Sequence, residues 1–146
     1  MESLRENLRS QNGLFISVLS STDEDGVKNL VRTLAGEGIV HIDIIIANAG
    51  YGQSFHSALN TSFTDIRSDF ETNTISVIRL FQDTFSLLSK SSKPKFVLMS
   101  SVLGSIEMMD ASPSLSYGIS KAAGNYAIRK IHFEHPAIVS LAIHPG

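Results

Sequence analysis

Three short runs of nearly continuous apolar residues, 42–47 (IDIIIA), 95–99 (KFVLM) and 138–143 (IVSLAI), alternate with long segments of helical periodicity. Apolar runs without polar alternation have the pattern of parallel strands covered on both faces. Parallel neighbours need crossover helices, and the intervening segments have the length and pattern for them. Val27, Leu30, Val31 and Leu34 recur at helical steps over residues 23–34, and Gly36 and Gly38 stop that helix. Ile66, Phe70, Ile75, Ile78, Phe81, Phe85 and Leu88 do the same over residues 64–88, and another helix is predicted over 115–132. A fourth apolar run, residues 14–19 (LFISVL), reads as a further strand. The expected class is α/β with right-handed crossovers and a parallel sheet of about four strands.

The length of 146 residues fits one domain over 1–146, and 42% hydrophobic content is enough for a core. A formal charge of -2 with scattered Lys and Arg gives no footprint for nucleic acid, so none is expected as a partner. Without cysteine there are no disulfides and no thiolate metal sites. The polar N-terminus carries no apolar signal region, and no apolar run reaches the roughly 18 residues of a membrane helix. No membrane partner is expected, and the cytoplasm is the expected compartment.

Chemistry concentrates in the segment Tyr117-Gly118-Ile119-Ser120-Lys121, with Ser100-Ser101 upstream. Residues four apart on a helix share a face, so Tyr117 and Lys121 project together. An ammonium beside a phenol favours the phenolate, which suits proton transfer. Ser100-Ser101 follows the 95–99 strand, and catalytic groups of open α/β sheets gather at the carboxyl ends of strands. Each residue also has a plainer explanation. Tyr117 and Lys121 can be surface neighbours, Ser100-Ser101 a cap, Asn73 a solvated helix residue and Asn48-Ala49-Gly50 a turn. His132, Glu134 and His135 form no convincing ligand set, and a structural role is expected for them, with no metal.

In combination these residues resemble the short-chain dehydrogenase/reductase family. The segments are Asn48-Ala49-Gly50 after a buried strand, Asn73 within Glu71-Thr72-Asn73-Thr74, Ser100-Ser101-Val102-Leu103-Gly104, Tyr117 with Lys121, and Pro145-Gly146. They stand in family order. The contexts of residues 131–136 and 142–146 further resemble fungal reductases of the norsolorinic acid ketoreductase type.

The resemblance implies a Rossmann-like doubly wound sheet and an NADP(H)-dependent oxidoreductase, with NAD not excluded. It would reduce a ketone or oxidise a secondary alcohol, in fungal polyketide or other secondary metabolism. By the family mechanism, Ser101 hydrogen-bonds the substrate carbonyl oxygen and Tyr117 delivers the proton. Lys121 stabilises the phenolate and holds the nicotinamide ribose, and Asn73 positions a water that links Lys121 to solvent. Asn48, Ala49, Gly50, Tyr117, Lys121, Pro145 and Gly146 are the implied cofactor-binding residues. The partner is a small carbonyl or alcohol, with homo-oligomerisation open for a full-length protein.

Two departures accompany the resemblance. No G-x-G-x-x-G turn is present to receive a pyrophosphate, since Gly36/Gly38 and Gly50/Gly52 do not extend to one. The chain is therefore expected to lack the family's first two strands and the segment that closes over substrate, which makes its fold a partial one. The gap from Ser101 to Tyr117 is also longer than the family's commonest spacing. The alternative expectation is a noncatalytic remnant, or an interaction module unable to bind a dinucleotide.

Overall fold

The computed structural model describes residues 8–9, 14–109 and 112–146. The polar N-terminal hexapeptide and two residues of the 104–114 loop, Asp110 and Ala111, lie outside the described residues. The apolar runs form β3 (Ile44–Ala47), β4 (Lys95–Met99) and β5 (Val139–Ile143), a parallel sheet in the order β3-β4-β5. Between them lie α2 (Phe63–Phe70), a π turn (Glu71–Ile75), α3 (Ser76–Leu88), a 3₁₀ turn (Val102–Gly104) and α4 (Leu115–Glu134). Ahead of the sheet stand β1 (Leu8–Arg9), β2 (Phe15–Ile16) and α1 (Gly26–Gly36). The α/β class and the parallel sheet follow the expectation.

The 14–19 run does not join that sheet. Only Phe15–Ile16 forms a strand, and it pairs antiparallel with Leu8–Arg9. Leu14, Phe15, Ile16, Val18 and Leu19 are all exposed. Apolar character alone does not make a parallel strand, which also needs a neighbouring edge in register. Three strands, not about four, form the parallel sheet among the described residues.

Among the described residues, the sheet is also covered on one face only. Register places Ile45 beside Phe96, and Ala47 beside Leu98, on the face toward the helices, where all four are buried. Val77, Phe81 and Leu88 of α3 and Ile128 and Ile131 of α4 complete this core. Phe81 meets Phe96 edge-on with ring centroids 5.3 Å apart, a favoured aromatic geometry. On the opposite face Ile44, Ile46, Val139, Leu141 and Ile143 are exposed. His135 packs against the rings of Phe81 and Phe85, with centroids 5.5 and 4.8 Å away, a packing role.

The pattern of α4 decides where polar chemistry can sit. Its buried residues are Ser116, Ser120, Lys121 and Gly124 in the first half, then Ile128 and Ile131 in the second. The apolar half anchors on the core, and the small polar half is carried to the carboxyl end of the sheet.

One buried polar pair lies where α2 meets α4. Among the described residues, Asp69, 1% exposed, and Ser116, 0% exposed, have no hydrogen-bond partner for either carboxylate oxygen or for the hydroxyl. Burial pushes the Asp69 carboxyl above its ordinary value. Ser116 tempers the shift without closing a hydrogen bond, and Asp65 one turn earlier adds to it. A raised carboxyl pKa means that the folded chain holds a proton which the unfolded chain has released. Its contribution is intact below the ordinary carboxylate pKa and is lost as pH rises through the raised value. Asp69→Asn is therefore expected to gain stability relative to wild type across that window, with the gain levelling off above it. Urea midpoints measured from pH 4 to 8 test this, and a pH-independent difference would show that Asp69 is not the titrating group.

Candidate active site

The three parallel strands end side by side at Ala47, Met99 and Ile143, and the chain leaves each end into a motif segment. Asn48, Ala49 and Gly50 follow β3 and are exposed. Ser100 and Ser101 follow β4, where the Ser100 amide donates to the Ile143 carbonyl at 2.7 Å. His144, Pro145 and Gly146 follow β5, exposed, with Gly146 at φ 109°. The polar half of α4 lies against this edge.

Lys121 is 3% exposed, and its Nζ donates to the Met99 carbonyl at 2.9 Å, the last residue of β4. No carboxylate pairs with it among the described residues. Burial therefore pushes the ammonium below its ordinary pKa, since desolvation disfavours the charged form. Its Nζ stands 5.6 Å from the centroid of the Tyr117 ring, so the two share a face as their spacing predicts. An ammonium offers three N–H donors, and one is used. The other two suit an acceptor entering the site.

Asn73 lies inside the π turn that interrupts the long 63–88 helix. Such turns widen a helix locally and recur at functional sites. Asn73 is fully buried, and its amide holds Tyr51 in both directions. Oδ1 accepts from the Tyr51 amide at 2.8 Å, while Nδ2 donates to the Tyr51 carbonyl at 2.6 Å and to Ser120 Oγ at 2.9 Å. Ser120 in turn donates to the Tyr117 carbonyl at 2.7 Å. The side chain expected to order a water near Lys121 thus spends its amide on the loop after β3 and on α4. A Cβ on Gly50 would stand 3.2 Å from Lys121 Nζ and 3.6 Å from Asn73 Oδ1, which puts Asn73, Lys121 and the Asn-Ala-Gly turn at one point.

Ser101 caps the 3₁₀ turn, with its Oγ accepting from the Leu103 amide at 3.3 Å. The capping reading and the catalytic reading coexist here, because a hydroxyl that accepts still has its proton to donate. Ser101 has no direct bond to Tyr117 or Lys121. Its link is Gly104, where a Cβ would lie 2.7 Å from Lys121 Cβ and 2.9 Å from the Lys121 carbonyl carbon. The turn carrying Ser101 therefore rests directly on the backbone of α4. Asn48, Ala49, Pro145 and Gly146 share the edge without hydrogen-bonding to these groups.

Several contributors escaped the motif reading. Gly52 backs the Tyr117 ring so closely that a Cβ there would overlap Cδ2 and stand 2.8 Å from Cε2. Ser120 and Asn125 lie on or beside the face that carries Tyr117 and Lys121, and their helical spacing was the available signal. No helix of the described residues is long and apolar enough to cross a membrane, and no group of three metal-ligating side chains occurs among them.

The family model for short chain dehydrogenases matches residues 1–146. The norsolorinic acid ketoreductase of Aspergillus parasiticus is 33% identical over 138 residues, which are 91% of this chain and 51% of that protein. Another norsolorinic acid ketoreductase, from Emericella nidulans, is 30% identical over 143 residues, 94% of this chain and 54% of that one. Among solved structures, an NADPH-bound carbonyl reductase from chicken fatty liver superposes with a TM-score of 0.85 at 27% identity, covering 92% of this chain and 58% of that chain. The chain spans about half the length of the curated relatives it matches.

Gly52→Ala is expected to drive the Tyr117 ring from its position while costing the fold at most about 1–3 kcal/mol, as a ring can swing where backbone cannot. Gly36→Ala, with nothing within 4 Å of its Cβ, serves as the control. Ring chemical shifts of Tyr117 and urea midpoints read the two effects, and an unmoved ring in Gly52→Ala would contradict the packing described.

Proposed function

This chain belongs to the short chain dehydrogenase family, and from that premise we propose that it supplies the proton-transfer side of an NADP(H)-dependent reductase of ketones or dehydrogenase of secondary alcohols. The observation that carries the reading is the buried ammonium of Lys121, unpaired with any carboxylate among the described residues and set against the Tyr117 ring beneath Gly50.

The residues present fit the nicotinamide end of a dinucleotide. Gly50 leaves room for a ligand beside Lys121 Nζ, and the unused N–H groups of Lys121 suit ribose hydroxyls. Asn48, Ala49, Gly50, Pro145 and Gly146 line the same edge, where the bare backbone of Gly50 and Gly146 allows close approach. NADP is the cofactor of this reading, and it supplies hydride chemistry when bound. Tyr117 gives its phenolic proton to the carbonyl oxygen of the substrate, and in the reverse direction takes it from the alcohol. The Lys121 charge favours the resulting phenolate. Ser101 donates its hydroxyl proton to the same oxygen as charge develops there. Asn73 holds the loop after β3 against α4, so that Gly50 and Gly52 back Lys121 and Tyr117. The ketoreductase relatives support a ketone as substrate, and this reading places it in fungal polyketide or other secondary metabolism, in the cytoplasm.

A second reading, an interaction module that binds no dinucleotide, is favoured by the apolar face of the sheet that is bare among the described residues. Titration of the 146-residue chain with NADPH separates the two, since saturation in the micromolar range counts against the module. In the protein, Tyr117→Phe is expected to lose turnover of NADPH and ketone by on the order of 100-fold or more, because the proton donor is gone. NADPH affinity should stay within a few-fold of wild type. Near-normal turnover in Tyr117→Phe would remove Tyr117 from the proposed role.

A further inference from the structure

Asn125 lies one helical turn beyond Lys121 and two beyond Tyr117, on the same side of α4. Its amide bridges the two ends of the segment that carries Ser101. Asn125 Oδ1 lies 2.6 Å from Ser100 Oγ, and Nδ2 lies 3.1 Å from the Gly104 carbonyl oxygen. A backbone carbonyl can only accept, so the NH₂ end of the amide faces Gly104, and the Ser100 hydroxyl donates to the other end. Both contacts are partly buried.

The same segment has further ties. The Ser100 amide is bonded to the Ile143 carbonyl, and the Gly104 amide donates to the Ser101 carbonyl at 3.0 Å. Ser101 thus sits in a five-residue arch whose two feet are joined by one side chain. Gly104 already packs on the backbone of Lys121, but van der Waals contact resists compression and not sliding. The two hydrogen bonds of Asn125 supply the missing direction, because a slide of the arch along α4 would break both.

We infer that Asn125 is a positioning residue that fixes the Ser101 hydroxyl relative to Tyr117 and Lys121, by clamping residues 100–104 to the helix that carries the other two groups. This rests on the proposed catalytic reading for its consequence, and on the hydrogen bonds alone for the clamp. Displacing a catalytic donor by about 1 Å costs on the order of 100-fold in rate, so the effect of the clamp should be visible in turnover.

Three variants of the protein test it. Asn125→Ala should lower kcat by between about 10- and 100-fold while KM for NADPH changes less than about twofold, because the group disturbed faces the substrate oxygen and not the cofactor. Asn125→Asp keeps the acceptor for Ser100 but presents a carboxylate to the Gly104 carbonyl. Its turnover relative to wild type should therefore rise as pH falls, since protonation restores the missing donor. Ser100→Ala combined with Asn125→Ala should be no worse than Asn125→Ala alone, as groups acting through one contact are not additive. Amide exchange at Leu103, Gly104 and Ser105 should be faster in Asn125→Ala whether or not the protein turns over a ketone. An inactive wild type overturns the catalytic reading, and the exchange rates still decide the clamp. Unchanged exchange overturns the clamp, and faster exchange with unchanged kcat in an active enzyme overturns its positioning role.

Discussion

A cation buried without a carboxylate beside it is held against its own solvation preference, and the architecture around Lys121 supplies what water would otherwise give. The carbonyl of Met99 at the end of β4 accepts one of its protons, and the polar half of α4 brings it there. Its surroundings are built close. Gly50 stands beside the Nζ and Gly104 on the Lys121 backbone, at positions where a side chain would meet the lysine. The sheet fixes the carbonyl, the helix fixes the ammonium, and the glycines let two loops close over the pair.

Much of this arrangement was legible in the sequence because the signals were periodic. Residues 95–99 form the expected strand without adjustment, and the other two runs of the parallel sheet lie within their predicted ranges. The 115–132 helix needed only two more residues at its end. The 14–19 run misled because strand pairing is a relation between segments, and a single segment does not carry it. Among the described residues only one of the two expected faces is covered, since an apolar run shows that burial is favourable but not which layer provides it.

The site was legible as a set of residues and less so as a geometry. Tyr117 and Lys121 meet as their spacing requires. The π turn at Asn73 left only one trace in the sequence pattern, the five-residue step from Phe70 to Ile75 among steps of three and four, and a single long step does not by itself identify a π turn. Asn125 and Gly52 were passed over because an asparagine in a helix and a lone glycine in a loop have common, uninformative explanations. Their roles lie in what they face across the fold, in residues 100–104 and the Tyr117 ring.

The two-way grip of Asn73 on the backbone of Tyr51 has a mechanical consequence. A side-chain amide paired with both the N–H and the C=O of one residue acts like a single rung of a β-ladder, so the loop after β3 is joined to the π turn as though by an extra strand. A ligand that pushes on Gly50 or Gly52 therefore does not bend a free loop. It loads the widest and least regular turn of the long helix, and through Ser120 it reaches the start of α4. Loop and helix yield together or not at all, so the site responds to an occupant as one stiff body.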